Sequence, residues 1–269
     1  MPDDVGDQRQ LVWPERETII LGHDMDPKAM EPYGAALSAY FEGDANAEVI
    51  VRRDDGEESK LPISYFFRQP SAFTPIENAA IDYCTGHVLD VGAGTGVHTL
   101  ALQEKGFQVT AIDVNSAAVQ IMTRRGVKDV HRADLFKCQY EPVDTILMMG
   151  HGIGMVETIE GLDRFLIHAR GLLSEEGQIL LDSLDVRTTG DPKNLAYHES
   201  NRRAGRYIGE IRVQFEYQGK HGPFCGWLHV DGGTLKEHAA KAGWKCDVVL
   251  EENTGNYLAR LTKERGRHT

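Results

Sequence analysis

Three acids, a run of alternating glycines and one histidine carry the spacing that could hold a ligand and act on it. Asp90 precedes Gly92-Ala93-Gly94-Thr95-Gly96, so glycine recurs at every second position after a carboxylate. Glycine has no Cβ, which lets the backbone turn tightly and present bare N–H groups to a bound molecule. Asp113 follows roughly twenty residues past that turn, the distance at which an acid can accept hydrogen bonds from both hydroxyls of a ribose. Asp134 comes next, and then His151 within Met149-Gly150-His151-Gly152. An imidazole that titrates near neutrality can take the proton of an attacking hydroxyl or amine. The same residue could instead hydrogen-bond backbone or orient a substrate.

These residues need elements that bring them to one place, and the pattern supplies them. His87–Val91 is an apolar run of strand type that breaks into the glycines, and a helical pattern from Val97 to Lys105 stops at Gly106. Gln108–Asp113 is a second buried strand, and a helix starts near Ser116. Further strands are expected over 127–132, 143–149 and 178–183, with an amphipathic helix over 158–173 between the last two. Strands alternating with helices specify a parallel sheet with helices on both faces. In such sheets ligands sit off the carboxyl ends of the strands, where the chain switches from one half to the other. Every acid named above, and His151, lies at such an end.

The segments outside this core read as additions. Residues 1–26 are polar and aperiodic, a loose arm. Residues 27–86 read as a cap: a helix through Met30, Tyr33, Leu37 and Phe41, a hairpin of 48–52 with 61–68, and a helix opened by Pro75. Residues 185–206 read as a loop, and the alternating runs 207–217 and 223–230 as an inserted hairpin. Tyr217, Phe224, Trp227 and His229 on that hairpin are candidate substrate contacts, against the simpler reading that its aromatics pack inward. A helix from Thr234, a strand pair over 244–250 and 256–261, and a short tail from 264 complete the chain.

A dinucleotide fingerprint, G-x-G-x-x-G, would place its third glycine at Val97. Val88-Leu89-Asp90-Val91-Gly92-Ala93-Gly94-Thr95-Gly96 instead resembles the first motif of the class I S-adenosylmethionine (SAM)-dependent methyltransferases. The resemblance extends in element order from about 87 to 263. It implies a Rossmann-like, doubly wound α/β sheet of seven mostly parallel strands with an antiparallel closing hairpin, here with an N-terminal cap and an inserted hairpin. It also implies SAM as cofactor, with S-adenosylhomocysteine (SAH) as its product. The residues to hold it would be Asp90, Gly92, Ala93, Gly94, Thr95 and Gly96 at the turn, Asp113 and Val114 at the ribose, Asp134 and Leu135 at the adenine, and Met149. Many small-molecule members of this family place aromatics and an arginine one helix upstream. Tyr65 and Arg68 stand there, and a guanidinium suits a methionine carboxylate.

At the exit of the fourth strand, relatives that methylate base amino groups carry Asn or Asp-Pro-Pro-aromatic, whereas this chain has Met-Gly-His-Gly-Ile-Gly. The metal-dependent type would want an aspartate there, so no metal is expected. The reading is methyl transfer to nitrogen or oxygen of a small molecule or peptide, with His151 facing the acceptor. A non-catalytic SAM-binding protein and an NAD-linked oxidoreductase are the alternatives.

Bulk composition narrows the partners. The chain of 269 residues has 41 acids against 29 bases, a formal charge of −12, which disfavours polyanions such as nucleic acid. Arg202–Arg206 and Lys263–Arg267 are local basic spots read as solvated surface. The four cysteines, Cys84, Cys138, Cys225 and Cys246, are scattered and fit reduced thiols. Neither a signal peptide nor a membrane-spanning run is visible, so a cytoplasmic location is expected.

Overall fold

A computed structural model of the chain describes residues 26–137 and 141–264. The arm through residue 25, Cys138, and the tail from 265 lie outside the described residues.

The first element, α1 (Glu31–Phe41), leads into β1 (Glu48–Arg53) and β2 (Glu58–Pro62). Next comes α2 (Pro75–Tyr83), set by a capping box in which Thr74 and Glu77 satisfy each other's backbone N–H groups, with Pro75 as its first residue. The central run is β3 (His87–Val91), α3 (Val97–Glu104), β4 (Gln108–Asp113), α4 (Ser116–Arg125), β5 (Val130–Arg132) and β6 (Val143–Met148). It continues through α5 (Ile159–Leu172) and β7 (Leu173–Leu184). Then follow α6 (Pro192–Arg203), β8 (Glu210–Tyr217), β9 (Lys220–His221), β10 (Cys225–Leu228), α7 (Gly232–Lys241), β11 (Trp244–Glu251) and β12 (Asn256–Lys263).

Seven strands form the main sheet in the order β11-β12-β7-β6-β3-β4-β5. The β3–β4, β4–β5, β3–β6 and β6–β7 pairs are parallel, whereas β12 joins β7 and β11 antiparallel. This is the doubly wound sheet with its closing hairpin. Chain order runs outward from β3 to β5, then returns to the other side of β3 at β6. The switch therefore falls between the carboxyl ends of β3 and β6, which is where the glycine turn and His151 emerge. Beneath it, Leu89, Ile146, Phe165, Ile179 and Trp244 belong to one fully buried cluster.

Three local expectations change. The second strand of the cap ends at Pro62, and Ile63–Phe67 is a 3-10 turn rather than strand. Ile63 is buried there, and the rings of Phe66 and Phe67 turn onto Tyr33 and Tyr40 of α1. Within the expected loop 185–206, residues 192–203 are helical: Asp191 caps the helix and Pro192 opens it. That helix has no apolar stripe to betray it. It is held by polar bonds instead, Asn201 to the carbonyls of Ile208 and Glu210 and the Tyr197 hydroxyl to Asp54. Finally, cap and inserted hairpin share one antiparallel sheet, β10-β8-β1-β2, through the pairing of Ile50 with Glu216 and Arg53 with Val213.

Candidate active site

The turn after β3 and the end of β4 are bonded to each other directly. The Gly94 N–H donates to Asp113 Oδ2 at 2.9 Å, and the Asn115 N–H donates to Asp113 Oδ1 at 2.8 Å. Gly92 and Ala93 donate to the Ile112 carbonyl, which fixes the turn to the neighbouring strand, and Gly96 is the N-cap of α3. Gly94 adopts φ +58°, and a Cβ placed on it would meet no atom within 4 Å. The turn thus presents bare backbone toward open space beside a carboxylate.

Each Asp113 oxygen accepts one backbone N–H and keeps lone pairs for further donors, such as two vicinal hydroxyls. Burial pushes the Asp113 carboxyl up to about 6, against the backbone bonds that favour its ionised form. Asp90 is buried and accepts from Thr99 Oγ1 at 2.6 Å, and burial raises its carboxyl too. At the exit of β5, Asp134 accepts from the Phe136 N–H at 2.9 Å and pairs with Lys137 at 3.4 Å. Leu135 lies in the main core and its carbonyl accepts from His168. The Val114 carbonyl accepts from Arg132.

The cap closes over this turn through groups that sequence reasoning missed. Tyr33 of α1 is buried beside Asp113, and burial together with that carboxylate raises its phenol well above the usual range. Gly34 lies so close to the Asn115 side chain that any Cβ would collide with it, while Asn115 Nδ2 donates to the Met30 carbonyl at 2.6 Å. The available signal was a glycine inside an otherwise apolar helical pattern, which marks close approach. Replacing Gly34 by alanine should displace Asn115 from its place as N-cap of α4 and cost about 1–3 kcal/mol. Thermal unfolding of the variant reads this directly. From the other side, the Thr95 hydroxyl donates to the Phe66 carbonyl, and Arg125 donates to Thr95 O at 2.6 Å.

Arg68, the candidate for a methionine carboxylate, has partners within the chain. Its guanidinium donates to both oxygens of Glu77, at 2.7 and 3.2 Å, and its Nε donates to the Tyr65 carbonyl. The Tyr65 ring lies 3.6 Å from the guanidinium carbon. Glu77 also bonds His98 Nε2 at 2.9 Å. Burial pushes this carboxyl up, but the bonds from His98, the Thr74 backbone and Arg68 outweigh it and hold Glu77 at about 2. The planar fork thus has a carboxylate partner within the chain, and the pair anchors the 3-10 turn beside the glycine motif.

No curated protein gives a match to this sequence. The family described as a methyltransferase domain matches residues 88–177. Among solved structures, a SAM-dependent methyltransferase from Bacteroides fragilis in complex with SAH is 33% identical at a TM-score of 0.78. The alignment covers 90% of this chain and 99% of that one. The chain belongs to the class I SAM-dependent methyltransferases. The CcbJ methyltransferase from Streptomyces caelestis, at 11% identity, TM-score 0.57 and coverage of 75% and 96%, shares the fold. So does a SAM-dependent methyltransferase from Methanosarcina mazei, at 17%, 0.55, and 71% and 98%. Family membership makes this an enzyme and sets aside the NAD-linked alternative.

In this methyltransferase the exits of β6 and β7 and the start of β12 meet at the switch point. Met149 is buried, and His151 follows with φ 58° and ψ 33°, a left-handed conformation unfavourable for a residue with a Cβ. Asp182 holds it there by accepting from the His151 N–H at 2.9 Å. The His151 ring bonds Asn256 Oδ1 at 3.1 Å and meets the His229 ring edge-on at 5.4 Å. Burial raises the Asp182 carboxyl, while burial and the neighbouring His151 push the His229 imidazole down to about 3, so His229 is neutral. Of the other aromatics on the insert, Tyr217 is buried in the cap core, Trp227 packs against Gly154, and Phe224 is exposed. Among the described residues no group of three or more His, Cys, Asp and Glu side chains could hold a metal ion, and no helix is long and apolar enough to cross a membrane.

Proposed function

We propose that this methyltransferase binds SAM across the glycine turn and methylates nitrogen or oxygen of a small molecule or peptide held at His151. The residues present fit the cofactor. Gly94 leaves bare backbone beside open space, and Asp113 retains acceptor capacity on both oxygens for the ribose. Asp134, at the next strand exit, suits the adenine amino group: one oxygen accepts from the Phe136 N–H and the other pairs with Lys137, and a carboxylate oxygen with one such partner keeps a lone pair for a further donor. Asp90, Gly92, Ala93, Thr95, Gly96, Val114 and Met149 shape the walls, with Leu135 contributing backbone, because its side chain belongs to the core. Arg68 and Tyr65 act at one remove, by fixing the cap edge through Glu77.

When bound, SAM supplies a methyl group on a sulfonium sulfur, an electrophile that needs little beyond in-line alignment with the acceptor. The chain's part is to place that acceptor and receive its proton. His151 emerges at the switch point, and the observation that carries its assignment is its strained backbone, clamped by a buried carboxylate. A strained residue at the reacting end of the sheet is over-determined by its surroundings, the usual mark of a functional position. Replacing His151 by alanine should lower turnover on the order of 10²-fold and leave SAM affinity unchanged. An acceptor screen read by SAH release, paired with SAM titration, tests both halves. Full turnover in that variant would reduce His151 to a lining residue.

A further inference from the structure

His151 is bonded through its backbone and through its ring, and the ring contact decides which of its nitrogens is basic. Its backbone N–H is bonded to Asp182 Oδ1, and its Nε2 lies 3.1 Å from Asn256 Oδ1 and 4.0 Å from Asp182 Oδ2. Among the described residues no group bonds its Nδ1. A neutral imidazole has one donor and one acceptor nitrogen, and the partner of one nitrogen determines the role of the other.

The orientation of the Asn256 amide follows from its own neighbours. Asn256 Nδ2 donates to Thr254 Oγ1 at 2.9 Å, and the Thr254 hydroxyl donates onward to Glu252 Oε2 at 3.4 Å. With its proton directed at Glu252, the Thr254 oxygen accepts from Asn256, which requires the amide NH₂ on that side. The amide oxygen then faces the His151 ring, where a protonated Nε2 is the complementary partner. The relay is rigidly placed: the Glu252 N–H donates to the Asn256 carbonyl at 2.8 Å, and Asn256 pairs with Leu184 at the end of β7.

We propose that Asn256 is a positioning residue, anchored by Thr254, that holds His151 as its Nε2–H tautomer and leaves Nδ1 to receive the acceptor's proton. The inference rests on the reading that His151 meets the methyl acceptor. In the transfer, the acceptor's N–H or O–H bond breaks as its lone pair bonds the methyl carbon. The proton passes to Nδ1, and the carbon–sulfur electron pair stays with sulfur. His151 thereby becomes an imidazolium whose Nε2–H is already bonded to Asn256.

Two-bond proton–nitrogen correlation spectra of the full chain, labelled with ¹⁵N-histidine and saturated with SAH, test this at alkaline pH. The wild-type His151 should show one fixed tautomer, with a pyrrole-type Nε2 and a lone-pair-type Nδ1. Asn256→Leu and Thr254→Val should each move both shifts toward averaged values, and Asn256→Asp, which keeps the accepting oxygen, should restore the fixed pattern. Averaged shifts or a protonated Nδ1 in the wild type, or an unchanged pattern in Asn256→Leu, would overturn the proposal. Calorimetry with SAH on the same samples separates the two levels. If SAH binds and Asn256 does not set the tautomer, this inference alone is overturned. If SAH does not bind the wild type, the reading beneath it is overturned and the inference falls with it.

Discussion

Asp113→Ala is expected to weaken SAM binding by about 10²–10⁴-fold while the protein remains folded. Two hydroxyl hydrogen bonds to an ionised carboxylate are worth roughly 1.5–3 kcal/mol each. Some of the loss will come from the turn itself, because Asp113 also receives the Gly94 and Asn115 N–H groups. Asp113→Asn separates the two contributions. It preserves one acceptor oxygen and the side-chain shape, so it should bind SAM more tightly than the alanine variant and less tightly than wild type.

The same residue makes binding depend on pH. Its carboxyl is pushed up to about 6 by burial, so the folded protein holds that proton longer than the unfolded chain does. This group therefore lowers stability as pH rises from the usual carboxylate range toward 6. Ribose hydroxyls donate to the ionised form, so SAM affinity should fall as pH drops below about 6, with a proton released on binding there. Titration in buffers of different ionisation enthalpy detects that proton. An affinity that is flat between pH 5 and 7, with no proton released, would remove the ribose role from Asp113.

Glu77→Leu should be the most destabilising of the substitutions considered. It leaves the Arg68 guanidinium and His98 without their shared carboxylate and removes one half of the α2 capping box. Loss of one partner from a buried ion pair costs roughly 3–5 kcal/mol, which for a chain of this size is about a 10 °C fall in Tm. In the Glu77→Leu background, a further Arg68→Ala should cost much less than it does alone, since the interaction is already gone. Because Glu77 is held at about 2, its contribution is complete above the ordinary carboxylate range and disappears as pH falls toward 2. A Tm within a degree of wild type for Glu77→Leu would show that the network contributes nothing to stability. Were Arg68→Ala instead to cut SAM affinity without lowering Tm, the arginine would return to a direct carboxylate contact.

The parts of the site that could be read from sequence are those whose logic is local. An acid, three alternating glycines and a strand–helix boundary lie within a few residues of one another, and Asp113 follows at a spacing set by one helix and one strand. The order of the main sheet follows from the same alternation. What escaped reading depends on distant segments. Nothing near Glu48–Arg53 marks its pairing with β8, which lies far along the chain, and so the cap and the insert read as separate pieces. The pairing of Arg68 with Glu77 is not legible either, because Glu77 reads locally as an ordinary capping residue. Asp182 and Asn256 carry no motif. Their place beside His151 comes only from the end of β7 lying next to the start of β12. The helix over 192–203 was hidden for a different reason, since periodicity detects apolar faces and this helix is held by polar bonds.

Calorimetric titration of the purified protein with SAM, SAH and NAD, repeated on Asp113→Ala, tests the central claim most directly. The account predicts that SAM and SAH bind the wild type, that NAD does not, and that the substitution strips away both. Binding of NAD alone, or SAM affinity untouched by loss of Asp113, would contradict it.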